Sequence, residues 1–259
     1  MNTRSGIFPL YPTILRGISG LISLQTTRSG GASVPPWDSL NLGPFTEDCS
    51  EHIHENFRLL CEHLQIGPDS IVLSEQVHGT RICRVSCTGN VSGYDALITD
   101  KEGIFLGILT ADCYPILIHD PMTRASGAAH AGWQGTVGRI SEKTVMAMGE
   151  AFGTRPEDCL AWVGTGISAE HYEIGEDVAR LFNDRYLQPS PSGVNKHLLN
   201  LSEANRDQLI AVGIPGSQVE CSSYCTWRDH EQFFSYRRDH GSTGRMLSII
   251  GIRASDSVP

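Results

Sequence analysis

His78, Cys113 and His130 are the side chains whose types suit metal chemistry. They stand in "EQVHGT", "TADCYP" and "AAHAGW", each at the edge of an apolar run where a turn begins. Two imidazoles and a thiolate make a three-ligand zinc set that leaves a fourth position for water or substrate. The same types suit a copper site, which favours His, His and Cys with a weak axial ligand. The three are scattered along the chain rather than gathered in a C-x-x-C or H-E-x-x-H cluster, so spacing alone favours a buried thiol and two hydrogen-bonded histidines. A further alternative makes Cys113 a nucleophile with His78 or His130 as its base, giving a hydrolase, for instance on peptidoglycan fragments. Asp112, next to Cys113, can orient a ligand imidazole, act as general base, or simply cap a turn.

The elements that must position these residues are read from hydrophobic period. "GIFLGILTADCYPILIHD" is too apolar for a half-exposed strand, and Pro115 interrupts it, so it predicts two buried strands broken at "ADCYP". "ASGAAHA" predicts the next strand and delivers His130 to its end. "VGRISEKTVMAMGEAF" has helical period, with Ile140, Val145 and Met148 on one side and a stop at Gly153. "HENFRLLCEHLQI" and "LSEANRDQLIAVGI" predict further helices, the latter capped by Ser202 and stopped at Gly213. "SIVLSEQVHG", "LAWVGTGIS" and "RMLSIIGI" read as strands. Without regular βαβ alternation, the fold class is α+β. "RSGGASVPPWDS" and "LQPSPSGVNKH" are turn-rich, and each is a candidate loop over a site.

Composition narrows the function. A chain of 259 residues with 40% hydrophobic content can bury a substantial core, and it is read as one domain over 1–259. The formal charge of −9 disfavours nucleic acid and anionic membrane as partners. No apolar run approaches the ~20 residues of a membrane span, and "ILRGISGLISL" lacks the features of a secretory signal, so the cytoplasm is the expected location. Eight cysteines in that setting are read as reduced thiols. The pairs Cys83/Cys87 and Cys221/Cys225 are read as buried structural ones.

"TTRSGG", "LNLG", "EQVHGT", "TADCYPIL", "AAHAGWQGTV" and "FFSYRRD" followed by "TGRM" occur in this order along nearly the whole chain. In order and place they resemble the YfiH/laccase-domain family, long labelled multicopper polyphenol oxidases and later purine nucleoside phosphorylases. The resemblance implies mixed sheets sandwiched between helices, and one metal, usually zinc, held by His78, Cys113 and His130. It implies phosphorolysis of adenosine or inosine, with purine nucleoside and phosphate as partners and adenosine deamination as a second activity. The expected assembly is a monomer or small homo-oligomer. Arg28, in "TR-x-GG", is implied as the phosphate holder, a role that suits a bidentate guanidinium flanked by glycines.

Two departures bear on substrate. Gln134 stands where the family usually has arginine after "GW", and Glu170–His171 stand where it commonly has two cysteines. Gln134 and His171 are therefore candidate substrate-side residues, with His171 more simply a neutral replacement for a thiol. A true multicopper laccase needs several H-x-H pairs, and "HIH" at 52–54, ahead of a helix, is the single one in the chain.

Overall fold

Two sheets stacked face to face build the centre of the molecule. In the computed structural model, which describes residues 6–254, the larger sheet has six strands. Their order is Val219–Cys221, Leu160–Val163, Tyr114–Asp120, Ala125–Ala131, Ala96–Thr99 and Ile82–Arg84. The second sheet has four strands, in the order Leu21–Gln25, Met246–Ile252, Phe105–Thr110 and Ile71–Val72. Both mix parallel with antiparallel pairs.

Side-chain alternation explains why these strands are buried throughout. Along Tyr114–Asp120, Ile116 and Ile118 point to a cluster shared with Ile140, Val145 and Met148 of helix Ile140–Phe152 and with Leu209 of helix Leu201–Ala211. Leu117, between them, packs instead with Leu106, Ile108 and Ile250 of the four-stranded sheet. On the outer side of that sheet, Leu24, Leu247 and Ile249 meet Leu60, Cys61 and Leu64 of helix Ser50–Leu64. The layering is helix, sheet, sheet, helix: an α+β sandwich of mixed sheets between helices, as expected. Each fully buried Leu or Ile contributes ~1.5–3 kcal/mol of transfer free energy, and truncating Leu117 to Ala would cost ~2–5 kcal/mol.

The small residues of "ASGAAHA" have a packing reason. A Cβ on Gly127 would lie 2.8 Å from Met148 Sδ and 3.1 Å from Thr144 Cγ2, so only glycine lets the helix sit this close to the strand. The strand spans Ala125–Ala131, and Gly153, with φ 75°, closes helix Ile140–Phe152.

Some expectations need correction. Asn200, not Ser202, caps helix Leu201–Ala211, because the Asn200 side chain accepts from Glu203 N. "SIVLSEQVHG" yields only two short strands, Ile71–Val72 and Ser74–Glu75, after which the chain turns away at His78. "LQPSPSGVNKH" is largely a hairpin, since Leu187–Pro189 pairs with Lys196–Leu199 in a three-stranded sheet with Glu173–Gly175. The "HIH" histidines lie within helix Ser50–Leu64 rather than ahead of it. All eight cysteines are free thiols, but Cys87 is exposed and Cys83 and Cys221 are half-buried, so only Cys225 of those four is a buried core thiol. Among the described residues, no helix is long and apolar enough to cross a membrane.

Candidate metal centre

The expected break at "ADCYP" is the point where the chain leaves one sheet for the other. Phe105–Thr110 ends in the four-stranded sheet and Tyr114–Asp120 begins in the six-stranded one, with Ala111, Asp112 and Cys113 as the crossing. Asp112 makes this turn at φ 94°, a backbone region that non-glycine residues rarely occupy. Its carboxylate holds the turn in place, accepting from Thr226 Oγ1 at 2.6 Å and from Arg237 N at 2.7 Å, while its carbonyl accepts from Ile167 N at 2.9 Å.

Strand pairing brings His130 alongside. Pro115 faces His130 in the register between Tyr114–Asp120 and Ala125–Ala131, so Cys113 and His130 emerge at the same end of adjacent strands. His78 arrives from the loop after Ser74–Glu75, at φ 59°. The candidate ligand atoms of His78, Cys113 and His130 all lie within 4.8 Å of one another, and the two imidazoles meet edge to face with centroids 4.7 Å apart.

One buried carboxylate organises two of these three residues. Asp95 accepts from His130 Nδ1 at 2.9 Å, from His78 N at 2.9 Å, from Gly79 N at 2.7 Å and from Val77 N at 3.3 Å. Donation from Nδ1 to Asp95 orients the ring so that its other nitrogen, Nε2, is the one engaged with Cys113; a metal would take the place of the proton held there, the arrangement of a metal-bound histidine. Burial alone would raise the Asp95 carboxyl, but the hydrogen bonds from His130 and the loop amides outweigh it and keep the group ionised. In the same way, burial would push the Cys113 thiol up, yet the charge and hydrogen bond of His130, joined by His78, bring it well below the ordinary thiol range. The side chains therefore fit a borderline-soft cation: a thiolate, an oriented imidazole and a second imidazole converge on one point.

These residues line a cavity of about 480 Å³, within the ~300–1,000 Å³ of small-molecule sites. Phe45, Tyr172 and Tyr236 supply aromatic wall, and Thr110, Asp112, Arg237 and Arg245 supply polar wall. Arg237 lies over Tyr172, with its Nη1 on Glu173 O, whereas half-buried Arg245 lies beside Tyr236. Burial pulls the Arg245 guanidinium somewhat below the usual arginine range, opposed by the negative potential of Tyr236, Asp112 and Cys113.

Of the residues singled out in the sequence, His78, Cys113, His130 and Asp112 meet here, and three do not reach the cavity wall. Arg28 donates from Nε to Asp38 O at 2.8 Å, from Nη2 to Asp38 Oδ1 at 3.1 Å and from Nη1 to His230 O at 3.2 Å, so its fork is taken up by Asp38 of its own loop and by the backbone at His230. Gln134 is exposed on the short helix Trp133–Val137. His171 stacks on Trp227 at 4.1 Å, and its neighbour Tyr172 lines the cavity instead. Neither turn-rich segment overhangs the site; Gly43, Phe45 and Thr46 do. The imidazole-orienting carboxylate is Asp95 rather than Asp112. Its one sequence signal is an acidic residue set directly before the buried run "ALIT".

Comparison with known proteins gives the family and the fold. Residues 22–253 match the family described as multi-copper polyphenol oxidoreductase laccase. A purine nucleoside phosphorylase of Deinococcus radiodurans is 42% identical over 228 residues, covering 88% of this chain and 87% of its own. One from Bacteroides thetaiotaomicron is 37% identical over 253 residues, covering 92% and 94%. The crystal structure of YlmD from Geobacillus stearothermophilus has a TM-score of 0.89 at 33% identity, covering 98% of each chain. By sequence and by fold, the chain belongs to the YfiH/laccase-domain family.

Proposed function

We propose that the protein is a zinc-dependent purine nucleoside phosphorylase acting on adenosine or inosine. The observation that carries this reading is the convergence of His78, Cys113 and His130 on the wall of a nucleoside-sized cavity that also holds arginine. The printed names of the relatives above support the reaction class. A phosphate oxygen attacks C1′ of the ribose, the C1′–N9 bond breaks with its electron pair going to the purine, and the base leaves after taking a proton on a ring nitrogen. The products are ribose 1-phosphate and free base. Phe45 and Tyr236 offer aromatic faces for the purine, and a cavity that surrounds both substrates converts their encounter into an oriented reaction. His78, Cys113 and His130 would hold zinc, which when bound supplies a Lewis acid to polarise a substrate oxygen.

Copper-dependent phenol oxidation is less well supported. A multicopper centre needs several metal groups, whereas the described residues contain one such cluster, and the "HIH" histidines stand on a separate helix. The test is a panel of adenosine and inosine, with and without phosphate, on protein of known metal content. Base and ribose 1-phosphate should form only with phosphate, and chelation should stop them. Conversion of adenosine to inosine without phosphate would add the deaminase activity. Absence of base release even at high phosphate, with copper-dependent oxidation of a phenol, would replace the phosphorylase reading. Turnover that rises on chelation, with faster alkylation of Cys113, would make that thiol a nucleophile.

A further inference from the structure

With the fork of Arg28 closed by Asp38, the phosphate of the reaction needs another host. Arg245 directly precedes strand Met246–Ile252, whose first rung pairs Met246 with Thr110. Thr110 is the last residue of its own strand and stands three positions before Cys113. The sheet therefore sets Arg245 and Thr110 at one end of a ladder, and both line the cavity that His78, Cys113 and His130 share.

Two features of this corner point to a ligand. Arg245 donates from Nη1 to the carbonyls of Thr243 and Gly244, at 2.9 and 3.0 Å, and among the described residues no carboxylate forms an ion pair with it. It thus has no direct ion pair of the kind Arg28 makes with Asp38 and Arg238 with Asp239; Asp112 and Cys113 act on its charge only from beyond ion-pair distance. Independently, the Thr110 hydroxyl is buried and has no hydrogen-bond partner. Gly43 makes room for the arginine stem, since a Cβ there would lie 2.6 Å from Arg245 Cγ. Arg245 N is anchored on Asn41 Oδ1 at 2.9 Å. A guanidinium fork and a spare hydroxyl lining one cavity are oxyanion-binding chemistry.

We propose that Arg245 and Thr110 form the subsite for inorganic phosphate; the identity of the anion rests on the phosphorylase reading. Arg245 takes up two phosphate oxygens and Thr110 donates to a third, on the same cavity wall as the metal ligands. Arg245 is thereby a substrate-binding residue that discriminates phosphate from water as the second reactant.

The test is calorimetric titration of inorganic phosphate into the metal-loaded full chain, with steady-state phosphate and nucleoside kinetics alongside. Arg245→Gln is expected to weaken phosphate binding, and raise its KM, about 10- to 100-fold, with metal content and nucleoside KM unchanged. Arg245→Lys should recover part of the affinity. Because Arg245→Gln can fail to fold, Thr110→Val and Thr110→Ser form a second pair: Val should weaken phosphate about three- to tenfold, and Ser should retain it. Phosphate that binds wild type and is lost in Arg245→Gln supports the subsite even if no nucleoside is cleaved, an outcome that sinks only the phosphorylase reading. Phosphorolysis with an unchanged phosphate KM in Arg245→Gln overturns the subsite while leaving that reading intact. No phosphate binding to wild type, equal binding in Thr110→Val and Thr110→Ser, or loss with Arg28→Gln in place of Arg245→Gln also overturns it.

Discussion

Asp95 makes no contact with the cavity in its own right, yet it decides where two of the three candidate ligands stand. It acts purely as an acceptor, taking three loop N–H groups and His130 Nδ1–H. An amide in its place has one acceptor oxygen and an NH2 group that would face donors. On the zinc reading proposed above, Asp95→Asn is therefore expected to lower zinc affinity about 10- to 100-fold, read by competition with a chelating dye. Unchanged affinity would show that His130 needs no orienting carboxylate. The contrast with its neighbours explains what was legible at this scale. His78, Cys113 and His130 each sit in a distinctive short motif, so type and motif together identify them. Asp95 is 17 residues from His78 and 35 from His130, and only the register that pairs Ala96 with Ala129 brings it to them. Arg28 shows the complementary limit: its glycine-flanked motif suits an anion, but nothing local reveals that Asp38, ten residues on, occupies the fork.

The strands that deliver the site were legible because burial on both faces forces continuous apolar runs, as in "GIFLGIL" and "PILIHD". The hairpin around Lys196–Leu199 was not, since its exposed and polar positions look like turn-rich loop. The short helix Trp133–Val137 offers a test of how tightly elements frame the candidate metal site. Gly132 caps it at φ −75°, which any residue can adopt, so its lack of a side chain matters only for space. A Cβ there would lie 3.0 Å from Cys113 Sγ and 3.2 Å from His78 Cδ2. Gly132→Ala should thus push two ligands while leaving the backbone at ease. We expect zinc affinity to fall about five- to tenfold, the equivalent of ~1 kcal/mol of overpacking, with the urea midpoint of the metal-free protein almost unchanged. Equal losses in both measurements would mean that the helix cap, and not the ligand geometry, was disturbed.

For the molecule as a whole, stability resides in three apolar layers, and the pH response follows from the ionisable groups trapped among them. His119 lies in Tyr114–Asp120, 1% exposed, with Nδ1 3.1 Å from Ser126 Oγ. Burial disfavours its charged form, against a smaller opposing effect of Asp120, and moves its pKa down to about 4. Unfolded, the same imidazole titrates near ~6.5. Between these values the unfolded chain binds a proton that the folded chain refuses, so stability is present above about 6.5 and drains away as pH falls toward 4. The difference corresponds to on the order of 3 kcal/mol. Asp95 and Asp120, whose carboxyls are held low by hydrogen bonds after burial is overcome, lose their contribution only at more acid pH, in a separate window. His119→Asn keeps a polar atom for Ser126 and removes the titration. Denaturant unfolding of the two proteins from pH 7.5 to 4 (about the ~6.5 midpoint) should show a steeper loss in wild type. Metal release on acidification affects both alike and cancels in the difference. Parallel curves would mean that water or a local opening lets His119 protonate inside the folded sheet.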